Sequence, residues 1–558
     1  MKQKINFFLV IIALFWAGCD IKEDIIVVDN NEVGQNNTQE VYDGNERMIV
    51  LGDKLENPYS IENMQKAYDD LTKAGVTKSS VEITVTDIYV RFLPKDSAEY
   101  LLLAEGFDLE LFDRPLDKEI IGEGTYYHDP SIPEDQITWQ YTTVSPDFKF
   151  PAVKYEVLAE CFIPKGEYDE EDPWEDGEEP SSKGFTAEMS FLEALELKAI
   201  ENSGIMDKLP VQSEPHTKGW FSRKKPQGTI KVYDDKLGGF VPVKGVKVRC
   251  NLIVKWVSAY TDDNGYYKMG SSFRFGPFYE LIFSNHRGFD IWGNLGPLSA
   301  AELLMGFHSK SGHNRDLRSG SSWTWATINN AAADYYDMCS KTGISKPPRN
   351  LKIWHTSLFG SASSAPMLRR INCGVTFRSS SDWSNFLSNM FVRPISFALM
   401  TTFKGALPDI TIGSGNTTSA TIYQTTCHEL AHASHYSQVG NEYWEKYISF
   451  IMTNGVYGEK TDVNAGVCGV GEMWGYAMGN IMREKKYGGT FNSNDNNWWF
   501  KPQIIYDLVV TYRILNEREI YNCMTSDIRS HEALRNKMIN RSLPKAGNIM
   551  STFYRHGF

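Results

Sequence analysis

The chain has 558 residues, 42% of them hydrophobic, and a formal net charge of −13. This length and apolar content support about three domains with substantial cores. The negative charge excludes the basic footprint that nucleic-acid binding requires, so no nucleic-acid partner is expected. Its eight cysteines include no C-x-x-C pair, which excludes a disulfide framework as the organising principle. Beyond the N-terminus no stretch of about 18 apolar residues occurs, so no spanning helix is expected in the body of the protein.

In chain order, Met1-Lys2-Gln3-Lys4 precedes an apolar run over residues 7–16 and the small residues Ala17-Gly18 before Cys19. A basic start, a short apolar stretch and small residues before the cut compose a secretory signal rather than a permanent membrane helix. The Ala-Gly-Cys ending resembles a bacterial lipoprotein signal, which implies lipidation of Cys19 and a membrane anchor at that residue. Asp20-Ile21-Lys22-Glu23-Asp24 is similar to the surface-export signal of Bacteroidetes-type lipoproteins, which implies a cell-surface position on the outer membrane. An ordinary signal peptide is the other reading of residues 1–19. Residues 20–45, increasingly rich in Asn, Glu and Asp, read as a flexible tether.

Residues 46–220 mix elements. The β-branched and aromatic run 81–93 predicts a strand, 97–105 a helix, and 108–112, 138–143 and 153–162 further strands. A small α+β module fits this order. Its insert, residues 167–179, carries nine acidic side chains and reads as a solvated loop, lacking the ordered spacing of a Ca²⁺ loop. Residues 226–292 are different: short β-rich runs at 229–233, 246–257 and 279–283 are separated by turn chemistry, and Asn264-Gly265 predicts a hairpin. Pro242-Val243-Lys244-Gly245-Val246-Lys247-Val248, followed by Thr261-Asp262-Asp263-Asn264-Gly265-Tyr266-Tyr267, resembles the carboxypeptidase regulatory-like β-sandwich. That resemblance implies a spacing or docking role, with carbohydrate binding as the functional alternative.

Residues 295–558 turn largely helical. The run 323–342 contains Ala326, Ala331, Ala332 and Ala333, suited to close packing; 351–357 and 408–412 read as strands and 419–435 as a helix. The expected fold class is therefore multidomain α+β: an N-terminal α+β module, a β-sandwich, then a mainly helical domain.

The chemistry concentrates in His428-Glu429-Leu430-Ala431-His432. Two histidines at i and i+4 lie one above the other on a helix face, so both imidazoles reach one ion, and the intervening Glu projects beside them as a proton acceptor. A working zinc site needs a third protein ligand and one open position. His435 shares the face but lies seven residues from His428, about 10.5 Å along the axis, and cannot join unless the helix breaks. Cys427 and Cys468 read as small packing residues.

The better third ligand is Glu472, 40 positions after His432 (472 − 432), in Gly471-Glu472-Met473-Trp474-Gly475-Tyr476-Ala477-Met478-Gly479. Each interior helix glycine costs about 1 kcal/mol relative to Ala, so a glycine every fourth residue needs a reason; close approach to the motif helix supplies one. Glu442, Glu445, Glu459 and Asp462 remain rival ligands.

This constellation resembles the gluzincins, zinc peptidases with H-E-x-x-H and a Glu ligand on a second helix downstream. The resemblance implies a zincin-like fold for 295–558, a zinc ion held by His428, His432 and Glu472, and Glu429 as general base toward a protein or peptide substrate. It differs from the metzincin pattern, whose Gly and third His positions are His435 and Gln438 here. It also implies a downstream oxyanion donor, for which Tyr506, Tyr512, His531 and His556 are the candidates. The strand at 408–415 is either an edge that pairs with an extended substrate or an ordinary core strand. The alternative to a peptidase is a non-catalytic surface lipoprotein with a zincin-like body that binds glycan or protein. The oligomeric state is not readable.

Overall fold

A computed structural model of the chain describes residues 47–76, 81–133, 136–164, 187–208, 223–293, 299–355, 363–371, 407–413, 418–454 and 457–558. The leader, the tether, the acidic insert 167–179 and the pair Ser414-Gly415 lie outside the described residues. The architecture is mixed α/β, with sheets through the first two thirds and a mainly helical C-terminal region.

The N-terminal segment is built on a three-stranded antiparallel sheet, with Asp87–Leu93 between Gln140–Val144 and Lys154–Cys161. Helix Ile61–Lys73 is capped by Ser60, whose hydroxyl accepts the Asn63 N–H at 3.2 Å, and it packs on helix Ala187–Asn202. The helix expected at 97–105 is α-helical only over Ser97–Leu101 and widens to a π turn over Leu102–Gly106. That turn leaves Asp108 at φ 54, which takes the backbone out of the extended region, so of the strand expected at 108–112 only Phe112 pairs, with Tyr141.

Two further sheets follow in the chain. The smaller is centred on Gln227–Asp234; the larger has seven strands in the order Ile410–Thr411, Leu351–Trp354, Phe289–Trp292, Phe278–Asn285, Val246–Leu252, Lys255–Tyr260, with Glu302–Phe307 also paired to Phe278–Asn285. The β-rich run 246–257 is two strands of a hairpin, reversed at Ile253 with φ 52. Ile253 and Val254 are buried, so this turn carries none of the polar residues that mark a turn in sequence. Asn264-Gly265 does form a tight turn, Gly265 at φ 73, but its flanking strands do not pair with each other. Lys255–Tyr260 belongs to the large sheet and Tyr266–Lys268 to the small one, so the turn is a corner between sheets.

Strands beyond residue 295 complete both sheets. Leu351–Trp354 runs parallel to Phe289–Trp292, and Arg315–Leu317 runs parallel to Ile230–Val232 inside Gln227–Asp234. Strands from 223–293 and from 299–355 therefore share the same two sheets. Buried ion pairs fix the N-terminal segment to the larger sheet: Arg249 bonds Glu110 at 3.2 Å and Lys255 bonds Glu196 at 3.1 Å.

Helix Gly320–Thr342 lies on the sheets and packs its alanines against the motif helix Ser419–Asn454, with the Cys427 sulfur 3.9 Å from the Ala331 carbonyl oxygen. The N-terminus of the motif helix is held from two sides. Thr418 accepts the Thr421 N–H at 3.2 Å, and Asp235, from the turn after Gln227–Asp234, accepts the Ser419 N–H at 2.7 Å. Tyr487, at the end of helix Ala465–Tyr487, donates to Asp234 at 2.9 Å. One sheet turn thus anchors both helices of the site. Asp235→Ala is expected to cost about 1 kcal/mol, the usual value of a lost helix cap, seen as a lower denaturant midpoint with unchanged slope. The six cysteines of the described residues are buried thiols in no disulfide, and no helix among the described residues is long and apolar enough to cross a membrane.

Candidate metal centre

The motif helix is continuous from Ser419 through His435 and breaks only at Gly440 (φ 77, ψ −176). His428 and His432 therefore stand one turn apart, their rings 4.7 Å between centroids and inclined at 75°. Their Nε2 atoms are 2.9 Å apart, and each lies 3.5 Å from the same atom, Oε2 of Glu472. Four ligands at zinc distances in a tetrahedron are about 3.3 Å from one another, so a triangle of 2.9, 3.5 and 3.5 Å matches three corners of such a site. Glu429 is the fourth acid–base group: His428, Glu429 and His432 offer donor atoms all within 4.8 Å of one another.

All four residues are buried, at 4% exposure or less. Glu472 Oε2 and Glu429 Oε1 are buried without a hydrogen-bond partner, whereas Glu472 Oε1 accepts the Tyr447 hydroxyl. An orphaned carboxylate oxygen aimed at two imidazoles is costly unless a cation completes the group. Burial pushes the His428 titration down against the opposing pull of Glu472, which keeps the imidazole neutral, the form that ligates metals. Burial, reinforced by the nearby Glu472 charge, pushes the Glu429 carboxyl well above the usual carboxylate range. The donor set fits a divalent metal ion.

The glycine face of Ala465–Tyr487 lies against the motif helix. A Cβ on Gly475 would sit 2.7 Å from His432 Nε2 and 3.1 Å from His428 Nε2; on Gly479 it would sit 3.0 Å from the Gln424 carbonyl oxygen. Trp474, on the same helix, donates to the Ala431 carbonyl at 3.2 Å and ties the pair together. No family model matches this chain and no curated protein matches it. Among solved structures, a 9R-lipoxygenase from Cyanothece PCC8801 aligns at 10% identity over 47% of this chain and 53% of its own length, with a TM-score of 0.11. A similarity that small carries no argument about fold or function.

The other candidates are placed as follows. His435 is buried between the rings of Tyr443 and Trp444, at 5.2 and 6.0 Å, and burial pushes its titration down to about 3. Glu442 is exposed and paired with Lys446 at 2.7 Å; Asp462 accepts the Glu459 N–H at 2.7 Å in a local turn. The four oxyanion candidates have partners of their own: Tyr506 donates to Glu484, Tyr512 is exposed beneath Arg555, His531 bonds the Phe500 carbonyl at 2.9 Å, and His556 bonds Asp507 at 2.9 Å. Among the described residues, none of these four shares a hydrogen bond or ring contact with His428, Glu429, His432 or Glu472.

The aromatic residues that do were not singled out by spacing. Tyr476 stands edge-on to His428 at 4.4 Å, its hydroxyl 3.0 Å from that of Tyr457, and Tyr447 bonds Glu472. Tyr476 is the i+4 neighbour of Glu472 on the same helix.

Ile410–Thr411 is the terminal strand of the large sheet, but its outer side is covered. On one side it pairs with Leu351–Trp354; on the other, Ser364 exchanges backbone hydrogen bonds with Thr411 at 2.8 and 3.0 Å, and Met367 donates to the Asp409 carbonyl at 3.0 Å. The core-strand reading holds, because the outward groups are already paired. Cavities of about 530 and 570 Å³ open beside Glu484 and Glu517 and beside Lys236 and Tyr487 respectively, and neither is lined by the histidines.

Proposed function

We propose that this protein is a zinc-dependent peptidase of gluzincin type, displayed as a lipoprotein on the bacterial outer membrane through a lipid on Cys19. The observation that carries the reading is the convergence of His428 Nε2, His432 Nε2 and the orphaned Glu472 Oε2 within 3.5 Å of one another on two closely packed helices. Two imidazoles and one carboxylate, with a position left open, are the donor set of a catalytic zinc rather than a structural one. When bound, the ion would polarise the scissile carbonyl and acidify the attacking water.

The residues of the chain do the rest. His428, kept neutral by burial, holds the ion together with His432 and Glu472. Glu429, whose Oε1 has no competing donor, accepts the proton of the attacking water and delivers it to the leaving amine. The glycine face of the second helix keeps the three ligands in register. The leader residues support the location: Ala17-Gly18-Cys19 followed by a short acidic segment fits a body held outside the membrane on a tether.

Zinc analysis of the purified chain, with cleavage of an unstructured protein substrate, tests this. About one zinc per chain is expected, with cleavage lost on chelation and restored by zinc. Absence of stoichiometric zinc, or cleavage that persists in the stripped protein, would overturn the reading.

A further inference from the structure

We infer that the Tyr447 hydroxyl is a positioning group for the site, holding Glu472 Oε1 so that Oε2 faces both imidazoles. The inference rests on the zinc reading above and adds a residue to it. Glu472 has two oxygens with different environments: Oε1 accepts the Tyr447 hydroxyl, and Oε2 has no donor and lies 3.5 Å from each histidine Nε2. The terminal torsion of a glutamate is broad and roughly two-fold, so an unheld carboxylate samples orientations that present neither oxygen correctly. One hydrogen bond from a rigid donor selects the orientation.

The fold delivers Tyr447 to that spot. At Gly440 the backbone adopts φ 77 and ψ −176, which ends the straight run of the motif helix and redirects residues 441–454. A side chain at φ near +77° without strain requires glycine, and nothing within 4 Å would otherwise obstruct a Cβ there, so the backbone conformation itself is the constraint. After the turn, Tyr447 returns over the site. It is 4% exposed, with its ring 4.8 Å from Trp444 and 5.8 Å from His432. On the opposite helix, a Cβ at Gly471 would lie 3.4 Å from Tyr447 Cε2, so the ring fills the space beside Glu472. Tyr447 is thereby packed between Trp444 and the Gly471 face of the second ligand helix.

Groups that orient metal ligands typically contribute 10- to 100-fold to affinity. Tyr447→Phe in the full chain should therefore weaken zinc binding by about 10- to 100-fold, measured by competition with a chromophoric chelator. Tyr443→Phe is the control: it removes a hydroxyl from the same helix, but one bonded to the Val467 carbonyl at 3.1 Å. It should keep wild-type zinc affinity while losing a comparable amount of thermal stability. Unchanged affinity in Tyr447→Phe, or equal weakening in both variants, would overturn the inference and leave the zinc reading standing. Wild-type protein that binds no zinc would remove both.

Discussion

Glu429→Gln is expected to retain one zinc per chain and lose peptide cleavage by about 10²- to 10⁴-fold, the contribution of a positioned general base. The substitution keeps the shape of the side chain and removes only its ability to take and return a proton. It touches no ligand, because the atoms that converge on the site come from His428, His432 and Glu472. Stability should not fall. Glu429 is buried with an unpartnered Oε1, and its carboxyl is pushed well above the usual range by burial and by the Glu472 charge. A neutral amide avoids that cost, so the melting temperature should stay level or rise. Zinc content, kcat and thermal midpoint on the same preparation make the result decisive. Cleavage within tenfold of wild type would remove Glu429 from the mechanism, and loss of zinc would make it a ligand instead.

The parts of this molecule that could be read in advance are those whose physics is local. The i, i+4 spacing of His428 and His432 is a property of one helix, and that helix is present. The repeat of Gly471, Gly475 and Gly479 is also local, and it encodes a contact because glycine in a helix interior has few other justifications. Glu472 is drawn to the site by that face. What could not be read depends on distant pairing or on a single backbone torsion. Nothing around Tyr447 marks it, because its approach to Glu472 is created seven residues earlier at Gly440. The reversal at Ile253 is hidden in a β-rich run, since both turn residues are buried. The pairing of Leu351–Trp354 with Phe289–Trp292 joins residues about sixty positions apart, beyond the reach of periodicity. The covering of Thr411 by Ser364 is invisible for the same reason. Even the Asn264-Gly265 turn shows the limit: turn chemistry specifies the reversal, while the sheets decide which strands then pair.

Gly475→Ala is expected to abolish stoichiometric zinc binding, whereas Gly471→Ala on the same helix face should leave it nearly intact. Both are Gly-to-Ala changes in a helix interior, each intrinsically stabilising by roughly 1 kcal/mol. Their surroundings decide the sign. At Gly471 the added methyl meets Tyr447 Cε2 at 3.4 Å and His435 Nδ1 at 4.0 Å, ordinary contacts that a small shift absorbs. At Gly475 it lands 2.7 Å from His432 Nε2, 2.8 Å from His432 Cε1 and 3.1 Å from His428 Nε2. Neither histidine is free to yield: His432 is 2% exposed, and the helix behind it is pinned by the Trp474 bond to Ala431. The helices must separate or the imidazoles must turn away, and either change destroys a triangle whose edges are 2.9 to 3.5 Å. The folding cost of such overpacking is about 1–3 kcal/mol, partly offset by the gain in helix propensity, so the chain should still fold. Zinc analysis beside circular dichroism separates the effects: a folded, zinc-free Gly475→Ala next to a folded, zinc-loaded Gly471→Ala is the expected pair. Full zinc occupancy in Gly475→Ala would show that this arrangement of the two Nε2 atoms is not what holds the ion.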